Sequence, residues 1–295
     1  DWSSDVCSSD LLDLEFTAGK RWNYSNTGYV MLGVVMSRIT GKPYWEFLRE
    51  RIFTPAGMSA IRINTESDIV PHRARGYLPT NEGWQHAGYV APVTNTTADG
   101  SMLLNLEDMI AWNDVVANRR ILSEKSWDLI LKPMKLNSGQ SYPYGFGWFI
   151  DDFGGQIVHQ HGGTWQGFTS QFFRFTGDNL VVILLTNARS IPVYALPRRI
   201  GALLNPSLAP EPPPSTPITD PDPSATQYIR DKLIKISKGD LTIEDFAFVR
   251  QTVFPRMRRS LIAQLKNLDA PDRMELLDRK SLGDDISLQI GRAHV

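Results

Sequence analysis

The chain has 295 residues, a formal net charge of −1, 42% hydrophobic residues and 21% charged ones. That is ordinary globular composition, enough for one large domain and a smaller one. The near-neutral balance offers no basis for a nucleic-acid partner, and no apolar run approaches the roughly 18 residues of a membrane-spanning helix.

The two ends read differently from the rest. DWSSDVCSSDL (residues 1–11) and IGRAHV (290–295) are translations of opposite strands of one oligonucleotide that resembles a sequencing-library adapter, with Gln289 taking its two left-over bases. The expectation is that natural sequence runs from Leu12 to about residue 288 and that the chain is a fragment cut on both sides. Cys7, the single cysteine, then falls in the foreign part, which leaves no thiol or disulfide chemistry.

Residues 27–40 (TGYVMLGVVMSRIT) carry apolar positions at helical spacing and stop at Gly41. Pro43 suits the first turn of a second helix, PYWEFLRERIF, ending before Thr54. Residues 60–98 read as irregular and polar. Asn105 and Ser123 are N-cap candidates for LEDMIAWNDVVANRRI and EKSWDLILK. From Tyr144 four strands follow: YGFGWFI, QIVHQH, FTSQFFRF and NLVVILLTN, the last pair joined by Thr176-Gly177-Asp178. A short helix, VYALPRRIGALL, comes next despite Pro197. Residues 205–224 read as a proline-rich linker unable to pack as regular structure, and 225–288 as a charged, mainly helical module ending in one strand, MELLDRKS. Helices, then an antiparallel sheet, then a tethered module make an α+β layout, with domains expected at 12–204 and 225–288.

The sequence has no G-x-S-x-G, P-loop, H-E-x-x-H or G-x-G-x-x-G motif. Two constellations remain. The first is Tyr24-Ser25-Asn26, whose plain structural reading is an N-cap, with Asn26 starting the helix and Tyr24 packed beneath it. The second is His161-Gly162-Gly163-Thr164-Trp165-Gln166-Gly167, on and just after a strand, where glycines ordinarily mark a bulge or turn.

Together, and with the stretches YSNTGYVMLG, ITGKPYWEF, IFTPAGM, TADGSMLLNLEDMIAW and YGFGWF…HGGTWQGF, they make residues 16–204 resemble the penicillin-recognising serine hydrolases, the group of class C β-lactamases, D-alanyl-D-alanine peptidases and esterases. The resemblance implies the β-lactamase/transpeptidase-like fold and three motifs: S-x-x-K, Y-x-N, and K-T-G or H-x-G. Tyr24 and Asn26 match the second, and His161 to Gly163 the third. The first is absent, since no serine here is followed by lysine three positions on. In the family the nucleophile lies upstream of Y-x-N.

Acyl transfer must deprotonate a serine, hold an oxyanion and protonate a leaving group. The resemblance assigns the proton relay to Tyr24, which requires a neighbouring cation to lower the phenol from its usual pKa of about 10. It assigns Asn26 to orienting the lysine and binding a substrate amide. Gly162 and Gly163 then let an extended substrate lie on the strand edge, and the backbone N–H of Thr164 is one oxyanion donor. His161 in place of lysine is mostly neutral at neutral pH, so a carboxylate is gripped less well, which tilts the reading from β-lactamase towards esterase or peptidase.

Other candidates carry less. His159 and His161 share one strand face, but no third zinc ligand accompanies them, so neither metal nor cofactor is expected. Asp99-Gly100-Ser101 reads as helix onset rather than as a nucleophile. Trp84 and Trp148 suit the core, and Trp165 the cleft. The parent protein is thus expected to be a cofactor-free serine hydrolase of an ester, amide or β-lactam, with a small-molecule or peptide substrate. The alternative is a non-catalytic peptide- or cell-wall-binding protein on the same fold; a third reading is an interaction module beyond Pro212. This chain itself is expected to be inactive, and the strand Leu180–Thr186 to be left as a bare edge. Relatives are often exported to the periplasm or cell surface, but the compartment is not legible here, nor is the oligomeric state.

Overall fold

In the computed structural model the described residues are 14–65, 67–88, 90, 97–209, 214–246, 254–265, 274–283 and 285–292. They form two compact units, one from residues 23–134 and 143–211, the other from the described parts of 1–22, 135–142 and 212–295.

In the first unit, helix α1 spans Asn26–Thr40. Its N-cap is Ser25, not Asn26: the Ser25 hydroxyl accepts from the Gly28 N–H at 3.1 Å, and Asn26 is already the first helical residue. Gly41 ends the helix with φ 67. The apolar spacing of α1 does not translate into burial. Among its residues only Gly33 is buried, while Met31, Leu32, Val35 and Ile39 stand exposed.

Helix α2, Tyr44–Leu48, is capped by Pro43 and runs on through a π turn, Arg49–Phe53, and a short helical piece, Thr54–Ala56. The helical run therefore passes the expected stop at Thr54 and ends at Gly57, in the left-handed region at φ 80. The segment read as irregular holds a hairpin, Tyr77–Thr80 with Gly83–His86, and the two-residue strand Arg62–Ile63. That strand pairs with Met102–Leu103, so Asp99-Gly100-Ser101 leads into a strand rather than a helix. Helix α3, Leu106–Ala117, and helix α4, Glu124–Ile130, start at their expected caps, Asn105 and Ser123.

The sheet has four antiparallel strands: β1 Phe149–Phe153, β2 Gln156–Trp165, β3 Phe168–Phe175 and β4 Leu180–Thr186, in the order β4-β3-β2-β1. Each face buries its own cluster. Trp148, Ile150 and Phe172 pack on Val115 and Val116 of α3 and Trp127 of α4. Val158, Phe173, Phe175 and Val182 pack on Leu208. Helix α5, Leu196–Leu204, tolerates Pro197 because it lies in the first turn, where no backbone donor is lost. Leu208 overturns part of the linker reading: a 3-10 turn, Pro206–Leu208, puts this fully buried side chain into the sheet core.

The second unit holds helix α6, Pro223–Lys238, and helix α7, Phe254–Leu265. Strands β5, Met274–Leu282, and β6, Asp285–Arg292, pair as an antiparallel hairpin, two strands where one was expected. Asp245 is buried against Lys232 and Lys235. Trp22 stacks on Tyr142 with ring centroids 4.2 Å apart.

Among the described residues nothing pairs with the outer edge of β4, a seven-residue strand, LVVILLT, that carries no charge. Such an edge templates association. Leu185→Lys, at a half-exposed position, is expected to suppress concentration-dependent light scattering while moving stability by less than about 0.5 kcal/mol. Unchanged self-association in this variant would assign the association to another surface.

Candidate active site

Strand β2 is longer than its neighbour β1, and this mismatch creates the site. Strand β1 pairs only with residues 156–160, whereas β3 pairs with 158–165. Among the described residues, no strand lies beside residues 161–165 on the β1 side. The N–H of Thr176 donates to the carbonyl of Ile157 at 3.0 Å, so odd-numbered residues of β2 turn their backbone polar groups towards β3. On the other side the Ile150 N–H, opposite His159, turns away to Pro143 O at 3.0 Å, consistent with the same alternation. Gly162 and Thr164 therefore present their N–H and C=O groups to the open edge.

The strand closes on a tight turn, Gln166 and Gly167, both at positive φ (44 and 83). Gly167 is required there, since a Cβ would lie 2.6 Å from the Tyr77 backbone nitrogen. The turn is held from outside: Asn64 donates to Gln166 Oε1 at 3.3 Å, and Arg73 donates to Asn64 at 2.9 Å. At Gly162 a Cβ would fall 2.3 Å from Gln171 Oε1 and 2.5 Å from a Tyr194 ring carbon. The glycine thus lets Tyr194 close over the strand.

Tyr24 and His161 meet. Their ring centroids are 5.9 Å apart, and Tyr24 stands edge-on to Tyr144 at 6.3 Å. Tyr24 is 45% exposed, and Asn26, two residues on, is exposed at the mouth of α1. Trp165 ends β2 and is also largely exposed, as is Trp84 on its hairpin, whereas Trp148 is core. His159 shares the strand face of His161 and lies against Trp148 at 6.5 Å. Among the described residues no group of three His, Cys, Asp or Glu side chains could hold a metal ion.

The protonation state of His161 follows from its partners. Nδ1 lies 2.7 Å from Gly162 O, which can only accept, so Nδ1 carries the proton. Nε2 then accepts from the Tyr144 hydroxyl at 3.2 Å. Burial lowers the imidazole pKa, partly opposed by the Gly162 carbonyl, and His161 is neutral at neutral pH. Tyr144 is linked in turn to Tyr29 of α1, and burial raises the pKa of both phenols. The Tyr24 phenol is raised as well, first by burial and then by Tyr29, Asp99 and Tyr194. That is the reverse of what a proton relay needs, and a lysine beside it would supply the missing positive charge.

Residues 11–204 match the Beta-lactamase family. The chain belongs to that family. Penicillin-binding protein 4* of Bacillus subtilis (strain 168) is 28% identical over 205 residues, covering 64% of this chain and 45% of the relative. The D-aminopeptidase of Gluconobacter oxydans (strain 621H) is 28% identical over 200 residues, 67% of this chain and 37% of the relative. The chain thus spans less than half the length of either. Among solved structures, the D-amino acid amidase from Ochrobactrum anthropi SV3 complexed with L-phenylalanine superimposes with a TM-score of 0.52 at 26% identity, covering 63% of this chain and 58% of that one.

Sequence reasoning on this member of the Beta-lactamase family overlooked Tyr29, Tyr144 and Tyr194, which surround the Tyr24–His161 pair. Tyr29 sits one helical turn into α1, and helical phase alone could have flagged it. Tyr144 opens YGFGWF, a stretch that carries the family resemblance, whereas Tyr194 arrives from a segment without a motif.

Burial holds His159 near a pKa of about 4, helped by the charges of Arg174 and Arg119, and lowers His161 from 6.5. As pH falls below the ordinary value, the unfolded chain takes up protons that the folded chain refuses, so stability must drop until the folded imidazoles titrate. Melting temperature is expected to fall between about pH 7.5 and 5, and His159→Gln to flatten part of that fall. A variant that loses as much as the parent would show that His159 is not held neutral.

Proposed function

We propose that the protein from which this sequence derives is a serine-type acyl-transfer hydrolase that acts on amide or ester bonds of small, uncharged-ended substrates. The observation that carries this reading is the convergence of Tyr24 and a neutral His161 beside the open edge of β2. A substrate carbonyl laid along that edge meets the Thr164 N–H as oxyanion donor. Asn26 reaches the substrate amide from the mouth of α1, and Trp165 borders the cleft. Tyr24 relays the serine proton once an S-x-x-K lysine stands next to it.

His161 refines the substrate class. An imidazole with its lone pair taken by Tyr144 offers no positive charge to a terminal carboxylate. The names of two relatives, a D-aminopeptidase and a D-amino acid amidase, fit this preference, since amides and N-terminal residues need no carboxylate clamp. The second reading, a non-catalytic peptide- or cell-wall-binding protein, is separated from the first by the segment upstream of Tyr24: an S-x-x-K there supports the hydrolase, and its substitution the binding protein.

Because none of the serines here begins S-x-x-K, the chain as it stands is expected to hydrolyse neither nitrocefin nor p-nitrophenyl esters above background; turnover by the purified protein would refute the dependence on S-x-x-K. In a polypeptide that joins these residues to an S-x-x-K segment, D-phenylalanine amide hydrolysis is expected, and Tyr24→Phe should lower kcat by about 10²–10⁴-fold. No hydrolysis of any amide, ester or lactam by that longer protein would favour the binding reading. There His161→Lys should shift preference towards carboxylate-terminated substrates, read as kcat/KM on matched acid and amide pairs.

A further inference from the structure

On the helix-facing side of the sheet lies a recess of about 420 Å³, away from the open end of β2. Its walls are Val116 and Ala117 at the end of α3, Arg119, Leu131, Ile157 and His159 of β2, and Arg174 and Thr176 from β3 and its end. The volume lies in the lower part of the range of about 300–1,000 Å³ that small-molecule sites occupy.

Arg174 is the unusual member. It is only 8% exposed, yet among the described residues its guanidinium meets no carboxylate. Nη1 donates to Asn113 Oδ1 at 3.3 Å and Nη2 to Asn179 Oδ1 at 2.7 Å, both neutral amides. A guanidinium has five N–H donors, so three remain. Burying a cation without a counter-charge is costly, and the usual remedy is a paired anion. Here none of the lining side chains is acidic.

The second arginine does not compete for that role. Arg119 is bonded to Glu124 at 2.8 Å and Asp128 at 2.7 Å, two exposed carboxylates that more than match its charge. Of the two lining guanidinium groups, Arg174 is therefore the one to which no carboxylate is bonded among the described residues. His159, held neutral by burial and by both arginines, adds a hydrogen-bonding edge without adding charge. Thr176 adds a hydroxyl, and Val116, Ala117, Leu131 and Ile157 supply hydrocarbon.

We propose that this recess binds a small aliphatic monocarboxylate, its head on the free N–H groups of Arg174 and its hydrocarbon body on Val116, Leu131 and Ile157. A single guanidinium without a bonded carboxylate, close to the surplus negative charge of Glu124 and Asp128, matches a monoanion better than a doubly charged phosphate, and the apolar walls select a branched or straight alkyl body over a bare ion. The site is separate from the Tyr24–His161 cleft: His159 and His161 point to the same face, but Trp148 packs against both His159 and Phe172, the residue directly opposite His161.

The test is isothermal titration calorimetry on the 295-residue chain with isovalerate, its neutral isostere isovaleramide, and inorganic phosphate. Isovalerate is expected to bind saturably, with isovaleramide and phosphate each weaker by about tenfold or more, the scale of a hydrogen bond to a charged group. Arg174→Gln should cost a similar factor. Ile157 is largely exposed, so Ile157→Glu keeps the fold and places a tethered carboxylate at the recess; it should abolish isovalerate binding. Equal binding of the amide, or full affinity in either variant, overturns the proposal. If Arg174→Gln fails to fold, Ile157→Glu alone decides.

Discussion

The site depends on one geometric mismatch: β2 has ten residues and β1 has five. Residues 158–160 of β2 are paired on both sides, and residues 161–165 by β3 alone. A strand fixed on one side keeps its shape, so its open side can offer backbone donors and acceptors in a set direction without the side-chain entropy that a loop would lose on binding. The alternation of an antiparallel ladder then decides which residues face outward, and it selects Gly162 and Thr164. The turn at Gln166 and Gly167, tied to Asn64 and Arg73, stops the free half from fraying.

Next to that edge the titratable groups of the Tyr29–Tyr144–His161 chain are neutral. Tyr29, Tyr144 and His161 form a chain of hydrogen-bonding groups whose order is set by one carbonyl, Gly162 O, because it forces the proton onto Nδ1. Burial then favours the neutral form of every member. The Tyr24 phenol is held protonated by the same burial.

Much of this was legible in the sequence, for physical reasons that differ by element. The caps Asn105 and Ser123 and the glycine stops are local rules, and the structure follows them. The strands of the sheet announced themselves by β-branched and aromatic runs. Tyr24 and His161 stood out because their surroundings resemble the Y-x-N and H-x-G motifs of the family, although their mutual geometry is a tertiary fact. What could not be read was non-local. Residues Arg62–Ile63 become a strand only because Met102–Leu103 lies beside them. The apolar residues of α1 have the right period for a buried face, but burial needs a partner, and among the described residues α1 buries only Gly33. Asn26 lost the cap position to its neighbour because serine's shorter side chain reaches the Gly28 N–H.

Leu208 carries a practical consequence for where this domain stops. The family match closes at residue 204, and a proline-rich stretch follows, which invites a boundary at that point. The fold does not end there. Asn205 caps the next turn and donates to Asp178 at 3.0 Å, and the turn seats Leu208 beside Phe175 and the Gly154 bend. Trimming the polypeptide after Leu204 would open a leucine-sized hole beneath the sheet, a loss on the order of 2–5 kcal/mol, so the minimal stable version of this half extends through Ala209.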